Sequence, residues 1–152
     1  MSADLEPRGD MRPHDLLGAL AGTTAGRVDS AEADAAAFPR LAAFNCGAVY
    51  VGRLLGGSPW ECHPDADELL QVLEGEVEVT LLAGLGPLQS VVQTVVRAGS
   101  ILVVPRGVWH RQWSELGVTL MAVTPDRSAI SFENDPRTDP RICITAKEGQ
   151  GQ

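Results

Sequence analysis

The side chains with the most chemical promise fall in two short segments. The first runs Pro59-Trp60-Glu61-Cys62-His63-Pro64-Asp65-Ala66-Asp67-Glu68, and the second opens at Gly99, passes Pro105 and Gly107, and ends at His110. In a strand, residues two apart share a face, so Glu61 and His63 project together. Pro64 to Asp67 reads as a bend, after which Glu68 re-enters a strand. His110 closes a second strand behind a Pro-x-Gly turn. If the two strands are neighbours, two imidazoles and one or two carboxylates converge on one point. That donor set suits a divalent ion, at roughly 2.0–2.2 Å from each ligand if it is zinc.

The remaining polar and aromatic residues sort around this pair of segments. Glu61 has three open roles: metal ligand, catalytic general base, or a carboxylate that is merely solvated. Gln112 shares a strand face with His110 and is a substrate-binding candidate. Cys62 alternates with its neighbours and should face away. Trp109 and Trp113, each an odd number of residues from His110, should pack between sheets or at a subunit contact. Asp65 and Asp67 read as turn formers. Gly75, Gly99 and Gly107 should supply turns. His14 lies outside both segments and has no expected role.

These segments need strands to position them. Ala48 to Leu55, Leu69 to Leu73 and Glu76 to Leu82 are β-rich. In the last, Val77, Val79 and Leu81 alternate with Glu76, Glu78 and Thr80, as in a half-buried strand. Further strands are expected over Val91–Val96, Ile101–Val104, Trp109–Trp113 and Val118–Val123. Turns are expected at Glu74-Gly75 and Gly84-Leu85-Gly86-Pro87. About eight short strands at such spacing predict an all-β sandwich or barrel. Ahead of them, His14–Ala21 predicts a short helix with Leu16, Leu17 and Leu20 on one face, and Ala31–Phe38 predicts a second. The domain organisation expected is an N-terminal extension over 1–44, a barrel over 45–132 and a surface segment with a frayed tail over 133–152.

The two segments resemble the motifs of the cupin superfamily, G-x5-H-x-H-x3,4-E-x6-G and G-x5-P-x-G-x2-H-x3-N. The second matches through Gly99, Pro105, Gly107 and His110, with Ser114 at its closing Asn position. The first matches from its second His onward, through His63, Glu68 and Gly75. Glu61 stands at the first His position, and Leu55, beside Gly56 and Gly57, at the leading Gly. The likeness covers roughly residues 45–125. It implies a single-domain jelly-roll β-barrel (a double-stranded β-helix) holding one divalent metal, such as Fe, Zn, Mn or Ni, with His63, Glu68 and His110 as ligands. The phosphomannose isomerases look similar in placing a non-His ligand where Glu61 stands. Three His and one Glu around a dication leave a net positive site; two His and two carboxylates leave a neutral one.

The function expected is a small metalloenzyme acting on a small oxygenated organic molecule, by dioxygenase or isomerase/epimerase chemistry. Two His and a carboxylate form the facial triad of non-haem iron oxygenases; zinc or manganese would favour Lewis-acid chemistry. The alternative is a non-catalytic ligand-binding or structural cupin, which loss of the first His favours. Composition excludes other classes. With 12 basic and 20 acidic residues, a net charge of −8 and a pI near 4.7, the surface repels nucleic acid and anionic lipid. No apolar run is long enough to span a bilayer, and Met1 to Asp15 lacks an apolar signal core. Three cysteines without paired spacing point to a reducing cytoplasm. Edge strands and outward apolar residues predict a homodimer.

Overall fold

The computed structural model describes Gly9, residues 11–84 and 90–141, and the backbone of 144–146. Two short helices, α1 (Leu16–Leu20) and α2 (Ala31–Ala37), precede the strands. The strands are β1 (Arg40–Phe44), β2 (Gly47–Gly57), β3 (Trp60–Cys62), β4 (Glu68–Ala83), β5 (Ser90–Arg97), β6 (Ile101–Val104), β7 (Trp109–Pro125), β8 (Arg127–Ser131) and β9 (Ile144–Ala146). They form one curled sheet in the order β1-β2-β7-β3-β8-β9, with β4 joining β7 to β5 and β6. This is the expected all-β jelly-roll architecture.

The curl comes from two long strands that serve both halves of the sheet. β7 pairs with β2, β3 and β4, and β4 pairs with β5, β6 and β7. The turn expected at Glu74-Gly75 is therefore a bulge inside one continuous strand. The β4–β7 register shifts between Val72 and Glu74 and again between Gly75 and Glu78. Gly75 carries φ +78°, and a Cβ there would stand 2.5 Å from the Gly117 carbonyl oxygen, so only glycine fits. The bulge also flips the alternation: Leu70 and Val72 are buried before it, Val77 and Val79 after it. Likewise the expected strands at 109–113 and 118–123 are one strand, β7.

The core gathers these inward residues, with Leu54, Leu70, Val72, Val77, Val79 and Leu120 almost fully buried. α1 departs from its expected apolar face. Leu20 is buried, but Leu17 is 78% exposed. The helix is only five residues long and rests against β2 through its C-terminal end, where the Leu20 carbonyl accepts from Arg53 Nη1 at 2.9 Å. α2 is capped by Ser30, whose Oγ accepts from the Ala33 N–H, and carries Glu32 and Asp34 in its first turn, where the helix dipole favours negative charge. Its end crosses β2 at Gly52, where any Cβ would collide with the Ala37 carbonyl and the Phe38 ring.

Residues 144–146 pair with β8. Most of the Gly84–Pro87 turn, Cys143 and the KEGQGQ segment lie outside the described residues, as does most of the N-terminal stretch before Met11. No helix among the described residues is long and apolar enough to cross a membrane.

Candidate metal centre

β3 lies between β7 and β8, and its register sets Glu61 directly opposite His110. Two backbone ties then lock the segments together. The Gly107 N–H donates to the His63 carbonyl at 2.8 Å, and the Arg106 N–H donates to Asp67 Oδ1 at 2.8 Å. Asp67 thus clamps the first segment's bend to the second segment's turn, more than forming a turn of its own. Asp65 instead meets Arg127 in an exposed ion pair at 3.0 Å.

The result is a tight cluster. Glu61, His63, Glu68 and His110 each offer a donor atom, and the four atoms lie within 4.8 Å of one another. His110 Nε2 is 2.9 Å from Glu68 Oε2, and His63 Nε2 stands 3.4 Å from the same oxygen and 3.7 Å from Glu61 Oε2. His63, Glu68 and His110 are buried; Glu61 keeps 16% of its side chain exposed.

Each buried donor is held from behind. His110 Nδ1 donates to the Val108 carbonyl at 3.1 Å, and His63 Nδ1 bonds Ser128 Oγ at 2.9 Å, so both imidazoles turn Nε2 inward. Thr124 Oγ1 donates to Glu68 Oε1 at 2.7 Å. Such partners fix ring orientation and leave the inner atoms available to an ion.

Electrostatics agree with this arrangement. Burial alone would raise the Glu68 carboxyl, but its hydrogen bond with His110 and the nearby His63 imidazole outweigh it and hold the group well below the usual carboxylate range. Burial would lower His110, yet its hydrogen bond to Glu68 and that residue's charge raise it above its ordinary value. Both His110 nitrogens thus face oxygen acceptors, the Val108 carbonyl and the Glu68 carboxylate, which favours the protonated ring. A metal ion would take the place of the Nε2 proton.

The donors fit such an ion. Ligands around a zinc-sized cation stand at most about 4.4 Å apart, within a small adjustment of the observed cluster. The His63 Nε2 atom is buried, makes no hydrogen bond and faces the Glu68 and Glu61 carboxylates at 3.4 and 3.7 Å, the setting of an atom that a cation could take as a ligand.

Glu61 and Glu68 of the cluster line a small cavity, about 40 Å³ in volume, that opens to solvent. Glu61, Glu68, Gln112 and Thr124 line its polar side; Leu54, Leu120, Ala122 and Phe38 line its apolar side. Gln112 therefore sits where alternation from His110 put it. Cys62 is buried outside the cluster, and burial pushes its thiol up. Trp113 is half exposed and packs on Gly57. Ser114, at the motif's Asn position, is buried and donates to the Glu76 carbonyl at 2.8 Å, tying β7 to the β4 bulge. His14 is exposed ahead of α1.

Thr124, Ser128 and the two further pocket-lining residues Tyr50 on β2 and Asp34 on α2 were not among the expected site residues. Thr124 has the parity of His110 on β7, which alternation would have revealed had β7 been read as one strand. Ser128 lies on a strand with no clear alternation, and nothing local marks it.

Residues 21–130 match the family model described as Cupin, and the chain belongs to the cupin family; its His and Glu cluster is that of a metal-binding member. The chain is 39% identical over 59 residues to oxalate oxidase 1 of Hordeum vulgare, covering 39% of this chain and 29% of that protein. It is 38% identical over 86 residues to germin-like protein 1-2 of Oryza sativa subsp. japonica, covering 56% of this chain and 37% of that protein. It therefore spans 29% of the one relative and 37% of the other. The crystal structure of protein NMB1881 from Neisseria meningitidis superposes with a TM-score of 0.56 at 23% identity, over 75% of this chain and 99% of that one, a likeness of fold.

Proposed function

We propose that this protein is a metal-dependent enzyme that acts on a small oxygenated organic molecule, with one divalent ion held by Glu61, His63, Glu68 and His110. The observation that carries this reading is the unpartnered Nε2 of buried His63, set among three further donors at the wall of an open pocket. The ion would supply Lewis acidity to a substrate oxygen and, if it is iron or manganese, a place for dioxygen. The likeness to oxalate oxidases supports oxidoreductase chemistry ahead of isomerisation.

The chain's own residues do the rest. Ser128 and Thr124 hold His63 and Glu68 in place. Phe38, Leu54 and Leu120 keep water from one side of the substrate. Gln112 binds a polar group of the substrate. Glu61, the most exposed of the four, is placed to take a proton from a bound hydroxyl when one of its oxygens is free of the ion.

Assembly as a homodimer belongs to the same reading. Val103, Leu69, Val123 and Val49 are register partners in a row across β6, β4, β7 and β2, and none of the four is buried. A reducing, cytoplasmic setting fits the unpaired Cys46 and Cys62.

The test is calorimetric loading of metal-free protein in two buffers of different ionisation enthalpy. We expect one ion per chain with net proton release from His110, so affinity falls as pH is lowered. His63→Ala and His110→Ala should each weaken binding at least tenfold while the β-sheet circular dichroism persists. Undiminished affinity in both variants would overturn the assignment.

A further inference from the structure

A second cavity, of about 220 Å³, lies on the outer face of the sheet, behind the metal donors. Trp60 precedes Glu61 on β3 and Arg111 follows His110 on β7, so strand alternation turns both away from the cluster and into this cavity. Thr80 on β4 is the register partner of Arg111, and Gln93 on β5 is the partner of Thr80. The three polar side chains therefore form one row across the outer face. One step along the same face, the partners Leu82 and Val91 add an apolar row. The stretch 134–137 closes the far side: the Trp60 indole N–H donates to the Asn134 carbonyl at 3.2 Å, and Pro136 joins the lining.

Arg111 is the charge that this cavity leaves open. Its guanidinium lies 4.7 Å over the Trp60 ring, and among the described residues no carboxylate pairs with it. The other lining charges cancel, because Arg137 Nε donates to Asp135 at 2.7 Å. Glu78, the next acid along β4, accepts from Gln93 Nε2 at 3.5 Å and stays outside the lining. Stacking on an aromatic fixes the guanidinium plane and leaves its N–H edge free for acceptors. The platform is itself fixed, since Trp60 is buried and bonded to Asn134. An oxyanion on that edge meets a donor fork already held in place, with little side-chain freedom left to lose. Thr80 Oγ1, which bonds no other described residue, supplies a further donor beside it.

We infer that this outer cavity binds a small monocarboxylate with an apolar body, its carboxylate on the Arg111 fork beside Thr80 and its body against Leu82, Val91 and Pro136. The volume of 220 Å³ falls short of the ~300–1,000 Å³ of drug-sized pockets, so the ligand is no larger than a single substituted ring. One open positive charge matches a monoanion; in a protein of net charge −8 a dianion is repelled more strongly. The site is separate from the metal centre and stands whether or not an ion is bound there.

The test is calorimetric titration of the full-length protein with three probes: benzoate, benzamide of the same shape but no charge, and inorganic phosphate. We expect one benzoate per chain with a Kd of about 1 mM or tighter. Benzamide and phosphate should each bind at least about tenfold more weakly, the former because it lacks the charge-assisted bonds. Arg111→Gln, at an exposed position, should cost benzoate at least about tenfold while circular dichroism and metal content stay as in the wild type. Arg111→Lys keeps the charge without the fork and should fall between the two. Benzoate held at a metal ion instead would survive Arg111→Gln, so full affinity in that variant overturns the inference. Equal or tighter binding of benzamide or phosphate overturns it too, as does the absence of benzoate binding at millimolar concentration.

Discussion

Glu61 is the residue that gives this cupin its character. Its register partner is His110, and its Oε2 reaches to 3.7 Å from His63 Nε2, so the carboxylate stands where an imidazole would complete the family's usual set. A carboxylate there would neutralise a bound dication and leave its water less acidic than a net positive site would. Glu61→Gln keeps the shape and removes the charge; metal affinity should drop several-fold to about tenfold. Glu61→His should restore affinity. Competition against a fluorescent chelator separates the cases, because unchanged affinity in Glu61→Gln with turnover abolished would make Glu61 a base outside the coordination sphere.

At this scale much of the site was legible. Parity alone put Glu61 beside His63 and Gln112 beside His110, because side-chain direction in a strand is set by the backbone. The supports were less so: Ser128 reaches His63 through a strand pairing that no local pattern encodes, and Thr124 shares the parity of His110 only once β7 is read as one strand.

Among the elements, bulges decide what faces the pocket. The glycine at position 75 permits β4 to change faces midway, so Glu68 points inward at one end while Val77 and Val79 do so at the other. Read as two strands with a turn, that stretch yields the right faces but the wrong connectivity. Composition likewise marked α2 as a helix, but not that it walls the pocket with Asp34, since that depends on the crossing at Gly52.

The crossing makes a prediction of its own. Gly52→Ala would force α2 away from β2 and destabilise the protein by about 1–3 kcal/mol, as overpacking does. Hydrogen exchange in residues 31–38 should quicken while metal stoichiometry stays at one per chain. Unaltered exchange there would show that α2 does not depend on this contact.

For the whole molecule, a net charge of −8 disfavours partners with phosphate backbones. The apolar row Val103–Leu69–Val123–Val49 favours a second copy. β6 pairs only with β4 among the described strands, and Ile101 and Val103 on it are 60% and 48% exposed, so a two-fold contact would cover apolar surface and a free edge together. Sedimentation at micromolar concentration should give twice the chain mass of 16.1 kDa, and Val103→Lys should halve it. A wild-type species at the chain mass counts against the dimer; a dimer unmoved by Val103→Lys puts its contact elsewhere, with half-exposed Trp113 or neighbouring Trp109 the next surface to test.

The central claim, that one divalent ion is bound by Glu61, His63, Glu68 and His110, is tested most directly by anomalous diffraction. Crystals of tag-free protein reconstituted with zinc or manganese should be measured on both sides of the metal's absorption edge. The account predicts one strong anomalous peak per chain, within bonding distance of His63 Nε2, His110 Nε2 and a Glu68 oxygen, with Glu61 turned toward it. No peak at that position, or a peak held by other residues while these four keep their direct contacts, would contradict it.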